Sequence, residues 1–271
     1  MKNIFKFSEQ PKFENPSLIV GWKNNVGELS PKVIDYLNKN LRAKSFCEIE
    51  PTGFFSLGGV AIENDIAQFP ESKFYCGERN DLVIFKGTEP QFERYRFLNA
   101  VLDVAEHYCK VKELFTINGT ISPTAHTSER QILAVFNQPG IQKKLYGYGL
   151  KNMSWHGEPA ISSYLLWLAK RRGIPGVSLW PEIPFYLGAS QDPQAIKLTL
   201  SFLEKRFNLN LDLKKLDEEI KEQNLKIARL REENPEINKY IGLIEGGLSL
   251  SGEEQMELVK GITELLEKSR G

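Results

Sequence analysis

The sequence predicts an α/β protein, with a core domain over residues 1–211 and a helical C-terminal extension over 212–271. Three observations carry this. Leu82 to Phe85 and Leu114 to Ile117 are short, continuous apolar runs, the composition of strands covered on both faces of a parallel sheet. Between them, Phe92, Tyr95, Leu98, Leu102, Ala105 and Cys109 recur at three- to four-residue steps, the stripe of a crossover helix. Beyond Asp212 the background becomes highly charged and carries a different, heptad-like repeat.

In chain order, the first core strand is expected over Leu18 to Trp22, after Pro16. Ser30-Pro31 then reads as a helix cap followed by proline at the first helical position, opening a helix with Val33, Tyr36, Leu37 and Leu41 inward. The connecting GWKNNVGEL is a tight turn; neither GxxxxGK[ST] nor GxGxxG occurs in the chain, so no nucleotide-cradling loop is expected. Ser45 to Ile49 reads as a strand, and Phe54 to Ile62, interrupted by Gly58-Gly59, as a further strand or a hairpin. Phe69 to Cys76 reads as an edge strand after Pro70. The block Asp81 to Thr127 follows as strand, helix and strand, a βαβ unit whose two outgoing loops, Gly87 to Gln91 and Asn118 to His126, leave the same sheet edge. Open α/β sheets bind their ligands at that edge.

Ile132 to Phe136 is the next strand, and Pro159 to Arg172 a helix ending in basic residues and Gly173. Val177 to Trp180 returns to strand composition, PEIPFYLGASQDP reads as a long loop, and Gln194 to Phe207 as the last core helix. In the extension, Leu213, Leu216, Ile220, Gln223, Ile227 and Leu230 form a seam that suits either a coiled-coil or oligomer contact or an amphipathic helix packed on its own domain. Pro235 ends that helix, and Ser251 with Glu254 forms a capping box for a final one.

Composition narrows the function classes. At 271 residues and 41% hydrophobic content the chain can bury a sizeable core, and its 35 basic residues balance 35 acidic ones. That balance gives no global reason to expect nucleic acid or an anionic membrane as partner. Cys47, Cys76 and Cys109 are odd in number and widely spaced, as reduced core thiols are. With no signal-peptide run at the N-terminus and no stretch approaching a membrane span, a cytoplasmic protein is expected. His107 and Cys109 stand two apart, on different faces of a helix, so no metal set emerges, and no cofactor is expected.

The candidate site residues lie on the two loops. Thr88 and Gln91 have capping-box spacing, whereas Pro90 at a first helical position would make Glu89 the cap; either way Gly87, Glu89 and Gln91 sit at a helix entrance. His126 is the strongest chemical candidate because it ends a loop after a core strand and titrates near neutral pH, with Thr124, Thr127, Ser128 and Glu129 as neighbours that could orient it. Asn118 shares its loop, and His156 stands at another helix entry.

Gly21-Trp22 with Val26-Gly27, the GTEP loop with Arg94-Tyr95, NGTISPTAHT, WHGEPA and GVSLWPEIPFYLG occur in an order and spacing that resembles the proteasome assembly chaperone two family over roughly Leu18 to Leu216. The resemblance implies a three-layer α/β/α fold of phosphorylase and hydrolase-like topology with a mixed sheet, a tendency to form homo-oligomers, and help in assembling proteasome α rings. Family members that dock on proteasome subunits carry a C-terminal tail of a hydrophobic residue, tyrosine and one last residue; this chain ends Lys268-Ser269-Arg270-Gly271, so contact with α subunits is expected without that device. The family's proline-histidine-tyrosine loop stands here as Pro184-Phe185-Tyr186, which removes an imidazole from it. The first reading is therefore a non-enzymatic, self-associating assembly factor with Trp180, Phe185 and Tyr186 as interface anchors. The alternative is a small-molecule-binding protein or hydrolase/phosphorylase-like enzyme with Glu89, Asn118 and His126 around a pocket.

Overall fold

The computed structural model describes residues 4–23, 25–56, 61–63, 66–77, 81–154 and 158–268. The expected Gly58-Gly59 break, the WHG segment with His156, and the terminal Ser269 to Gly271 lie outside the described residues. Twelve strands and eight α-helices are defined: β1 (Phe5–Phe7), β2 (Ser17–Trp22), α1 (Leu29–Asn40), β3 (Lys44–Ile49), β4 (Ala61–Glu63), β5 (Ile66–Gln68), β6 (Ser72–Cys76), β7 (Leu82–Gly87), α2 (Arg94–Asp103), β8 (Glu113–Ile117), β9 (Thr120–Ser122), β10 (Ile132–Phe136), α3 (Pro139–Lys144), β11 (Lys151–Asn152), α4 (Ile161–Arg171), β12 (Gly176–Pro184), α5 (Pro193–Phe207), α6 (Lys214–Glu233), α7 (Pro235–Glu245) and α8 (Gly252–Lys268). Among the described residues ten strands form one open mixed sheet in the order β1-β3-β6-β7-β2-β8-β12-β10-β11, with β9 paired to β12, and β4 pairs with β5 in a separate two-stranded sheet.

The chain divides into two compact units, residues 1–24, 30–118 and 134–179, and residues 25–29, 119–133 and 180–271. In the first, β2 is the axis: all six of its residues are buried, and it runs parallel to β7 on one side and to β8 on the other. The crossover from β7 through α2 therefore lands beyond β2, and the two outgoing loops leave the same end of the sheet, as the apolar runs predict. Alternation along β2 assigns its faces. Leu18, Val20 and Trp22 join Phe85 from β7, Phe97, Leu98, Val101 and Leu102 from α2 and Leu165, Leu168 and Ala169 from α4 in one core. Gly21 faces the other way, where a Cβ would meet Ile34 Cγ1 at 2.4 Å and Ser30 Oγ at 2.8 Å, so α1 closes on that face and only glycine permits the approach. Helices on both faces give the three layers of the predicted α/β/α class.

Several expectations are corrected. Ser72–Cys76 is no edge strand: it pairs antiparallel with β3 and with β7, and Pro70 stands outside the ladder, where its missing N–H costs nothing. The edge belongs to β1, which the sequence reading left unassigned and which pairs with β3. Ser30 is not a cap, because α1 starts at Leu29 after a 3-10 turn at Val26–Glu28; its hydroxyl accepts from Trp22 N–H at 3.0 Å instead. Strand β12 extends to Pro184, into the expected loop. Residues Gly176 to Leu179 pair with β8 and residues Glu182 to Pro184 with β9, so Pro181 falls where the partner changes.

In the second unit, Asp192 caps α5 by accepting from Gln194 N–H at 3.1 Å and Ala195 N–H at 3.2 Å. Of the seam, Leu216 and Ile227 are fully buried, and Gln223 donates to Gln191 O at 2.9 Å; α6 packs on α5, α7 and α8. The seam is used within the chain's own helices. Asn234 caps an additional helix, α7, by accepting from Glu236 N–H and Ile237 N–H, and the Ser251–Glu254 box forms reciprocally at 2.8 and 3.3 Å. All three cysteines are free thiols. Among the described residues no helix is long and apolar enough to cross a membrane.

Candidate functional site

In the first unit, Asn118 follows β8 and is 3% exposed. Its backbone N–H donates to Leu179 O at 2.9 Å. Its side chain is the centre of a buried polar chain. Ser162 Oγ, in the first turn of α4, accepts from Trp22 Nε1 at 3.0 Å and donates to Asn118 Oδ1 at 2.8 Å. Asn118 Nδ2 donates to Ser178 Oγ at 2.8 Å and to Thr116 Oγ1 at 3.3 Å, and Thr116 Oγ1 donates to Ser178 Oγ at 2.7 Å. Both amide donors are used and Oδ1 accepts from Ser162, so Asn118 holds β2, β8, β12 and α4 in register. Ser162 and Ser178 were not singled out by sequence reasoning; the visible signal was a serine at an inward position of an otherwise apolar helix or strand.

The Gly87 to Gln91 loop leaves β7. Gly87 is buried, and a Cβ there would press on the Phe85 ring at 2.6 Å. Neither expected cap forms. Gln91 Oε1 accepts from Ser56 N–H at 2.8 Å, and both Gln91 N–H and Phe92 N–H donate to Phe54 O. These bonds carry the chain onward to Glu93, which takes a left-handed φ of 50° and admits α2 only at Arg94. The late start moves the apolar stripe: Phe97, Leu98, Ala100, Val101 and Leu102 are buried, while Phe92 and Tyr95, expected inward, are 54% and 56% exposed.

A cavity of about 390 Å³ opens beside this loop, lined by Glu89, Arg94, Tyr95, Leu98, Glu158, Pro159, Ala160, Ile161 and Tyr164. Tyr95 and Tyr164 meet edge to face with centroids 6.0 Å apart. Neighbouring protein atoms crowd the Glu89 carboxyl and raise its pKa above the usual carboxylate value, an effect that the Arg94 charge opposes. Glu89 is thus the one loop candidate that the structure places on a cavity wall.

In the second unit, His126 is 3% exposed. The Tyr186 hydroxyl accepts from its backbone N–H at 2.7 Å and lies 2.9 Å from Nδ1. The hydroxyl can accept the backbone N–H and at the same time donate its own proton to an unprotonated Nδ1. Burial lowers the His126 pKa to about 4, against the pull of Glu245 and with help from Arg231 and Arg130. Burial also pushes the Tyr186 phenol up to about 12. Neither group changes charge near neutral pH, so the pair cannot serve as a base poised for that range.

Of the expected orienting residues, Thr127 turns elsewhere, and the Thr124 hydroxyl is buried without a hydrogen-bond partner among the described residues. Thr127 Oγ1 donates to Glu245 Oε1 at 3.0 Å, and Glu245 is held by two bonds from Arg231 at 2.9 and 3.0 Å. Arg130 forms a buried ion pair with Asp192 and donates to Glu182 O at 3.3 Å. Of the expected anchors, Tyr186 is 1% exposed and therefore packs inside. Trp180 is half-buried with an unpaired Nε1. Phe185 lines an apolar groove of about 590 Å³ with Ile121, Met256 and Val259. Among the described residues no cluster of metal-binding side chains occurs.

With this geometry in hand, comparison with known proteins becomes informative. The PAC2 family profile matches residues 18–231. The chain belongs to the PAC2 family. Solved structures similar to it include a PAC2 family protein from Streptomyces avermitilis, with TM-score 0.71 and 20% identity, covering 83% of this chain and 99% of that one. Pyrococcus furiosus PbaB, described as an archaeal proteasome activator, gives TM-score 0.70 and 24% identity over 84% of this chain and 98% of its own. Pyrococcus furiosus PbaA, described as an archaeal homologue of proteasome-assembly chaperone, gives 0.65 and 19% over 84% and 96%. At these identities they establish the PAC2 fold. Comparison with the curated proteins gives no match.

Proposed function

We propose that this PAC2 protein is a self-associating, non-enzymatic protein-assembly factor whose first partner is a second copy of itself. One observation carries the reading. Strands β4 and β5 form a hairpin with no further strand partner among the described residues, and Ile62 and Ile66 on it are 78% and 60% exposed, with Phe69 beyond it at 61%. A two-stranded hairpin is marginal alone in water, and bare apolar surface of this kind marks protein contact. The zero net charge leaves no long-range repulsion to hold two copies apart. The side chains that chemistry would need are turned inward: Asn118 and His126 are buried, Asn118 Oδ1 accepts from Ser162, and His126 Nδ1 lies against the Tyr186 hydroxyl.

The neighbours' descriptions as a proteasome activator and a proteasome-assembly chaperone homologue suggest proteasome α subunits as the further partner class. Size-exclusion chromatography with light scattering tests self-association: a mass at a multiple of 30.9 kDa is expected, falling to a monomer in the I62E/I66E variant. A strict monomer at every concentration sinks self-association. Affinity capture from the native extract tests the partner, and absence of α subunits among the recovered proteins removes that assignment.

A further inference from the structure

The cavity beside Glu89 carries an inference independent of the assembly role. Glu89 and Arg94 stand on its wall as opposite charges. They are close enough for the guanidinium to act on the carboxyl, yet neither makes a hydrogen bond or an ion pair among the described residues, and both are exposed. Arg94 begins α2 and follows the left-handed Glu93, which fixes where its backbone enters the helix. The same lining carries aromatic and apolar surface: Tyr95 and Tyr164 in edge-to-face contact, with Leu98 and Ile161. Leu98 is buried, so the cavity has a packed floor.

A cavity of about 390 Å³ falls in the size range of small-ligand sites, which are mostly apolar with a few placed polar groups that set orientation. The charged groups on its lining are Glu89, Glu158 and Arg94; Glu89 and Arg94 are the oppositely charged pair that the cavity leaves open to a ligand. A ligand with a single charge would satisfy one and leave the other facing a like charge. A ligand bearing both, a short distance apart, satisfies both and can lay an apolar body on the tyrosines. We propose that the cavity binds a free α-amino acid with an aromatic or branched apolar side chain, its ammonium on Glu89, its carboxylate on Arg94 and its side chain against Tyr95 and Tyr164.

Isothermal calorimetry on the full chain tests this with L-phenylalanine, L-tyrosine and L-leucine, and with two blocked probes, N-acetyl-L-phenylalanine and L-phenylalaninamide. At least one free amino acid is expected to bind saturably, and each blocked form of L-phenylalanine at least about tenfold more weakly than the free form, a difference of about 1.4 kcal/mol. E89Q is expected to erase the discrimination against the acetylated probe and R94Q that against the amide, each leaving the other intact. Both residues are exposed and outside the core, so folding is retained; matching far-UV spectra verify it. Absence of saturable binding by all three amino acids, equal affinity for free and blocked forms, or unchanged discrimination in both variants overturns the proposal. None of these outcomes depends on oligomeric state, so failure here leaves the assembly reading standing.

Discussion

The Tyr186 hydroxyl meets His126 twice, accepting from its backbone N–H at 2.7 Å and lying 2.9 Å from Nδ1. Replacing Tyr186 by Phe keeps the ring and strands a buried N–H and a buried ring nitrogen. An unmet buried group costs about 1–3 kcal/mol, so Y186F is expected to lose at least that in urea unfolding. A midpoint equal to that of the unaltered protein would show that water or another group already serves His126.

The same histidine gives a pH dependence. A base whose folded pKa is held down takes up its proton on unfolding, so the stability is complete above pH 6.5 and is lost as pH falls toward about 4. Within that window the slope from this one group is about 1.4 kcal/mol per pH unit. H126N, which cannot titrate, is expected to flatten the acid limb of the stability curve between those values. An identical slope in H126N would assign it to other groups.

Arg130 and Asp192 form a buried ion pair with side chains 2% and 0% exposed. Removing one partner of such a pair typically costs about 3–5 kcal/mol because the other charge is left stranded. D192N retains an oxygen that can cap α5 while discarding the charge, which separates the two jobs of this residue. We expect D192N and R130M each to destabilise in that range, and the double variant to cost well under their sum. Additive losses in denaturant titrations would mean that the two charges are not coupled.

Ser162 donates to Asn118 and accepts from Trp22. S162A therefore orphans two buried groups at once, and a loss of about 2–4 kcal/mol is expected by doubling the usual penalty with allowance for partial relaxation. Tryptophan fluorescence of the folded S162A protein is also expected to shift, since Trp22 loses the acceptor for its indole N–H. A stability change within about 0.5 kcal/mol, the usual range of inert surface substitutions, contradicts the central role of this chain.

Much of the fold was legible because it rests on local pattern. The apolar runs at Leu18, Leu82 and Leu114 and the Ser251 capping box each announce themselves within a few residues. What was missed depends on distant partners. The edge strand Phe5–Phe7 is specified by β3, more than thirty residues on. The entry to α2 was misplaced because Gln91, read as the partner of Thr88 in a capping box, accepts from Ser56 N–H instead, a contact with no sequence signature. His126 and Asn118 were read as candidate site residues on loops after core strands, and their type could not reveal that Tyr186 and Ser162 bond to them. Glu89, read as a cap in one register and as a pocket residue beside Asn118 and His126 in the alternative function, lines a cavity without either of them, because the chain passes it before turning at Glu93.

The β4–β5 hairpin has a practical corollary. With 35 positive and 35 negative side chains and a pI near 6.9, the molecule carries almost no charge at neutral pH, where colloidal stability is poorest. Bare Ile62, Ile66 and Phe69 then govern solubility: recovery should improve when buffers move away from neutrality, and I62E/I66E should stay in solution at pH 7 at concentrations where the unaltered chain turns cloudy.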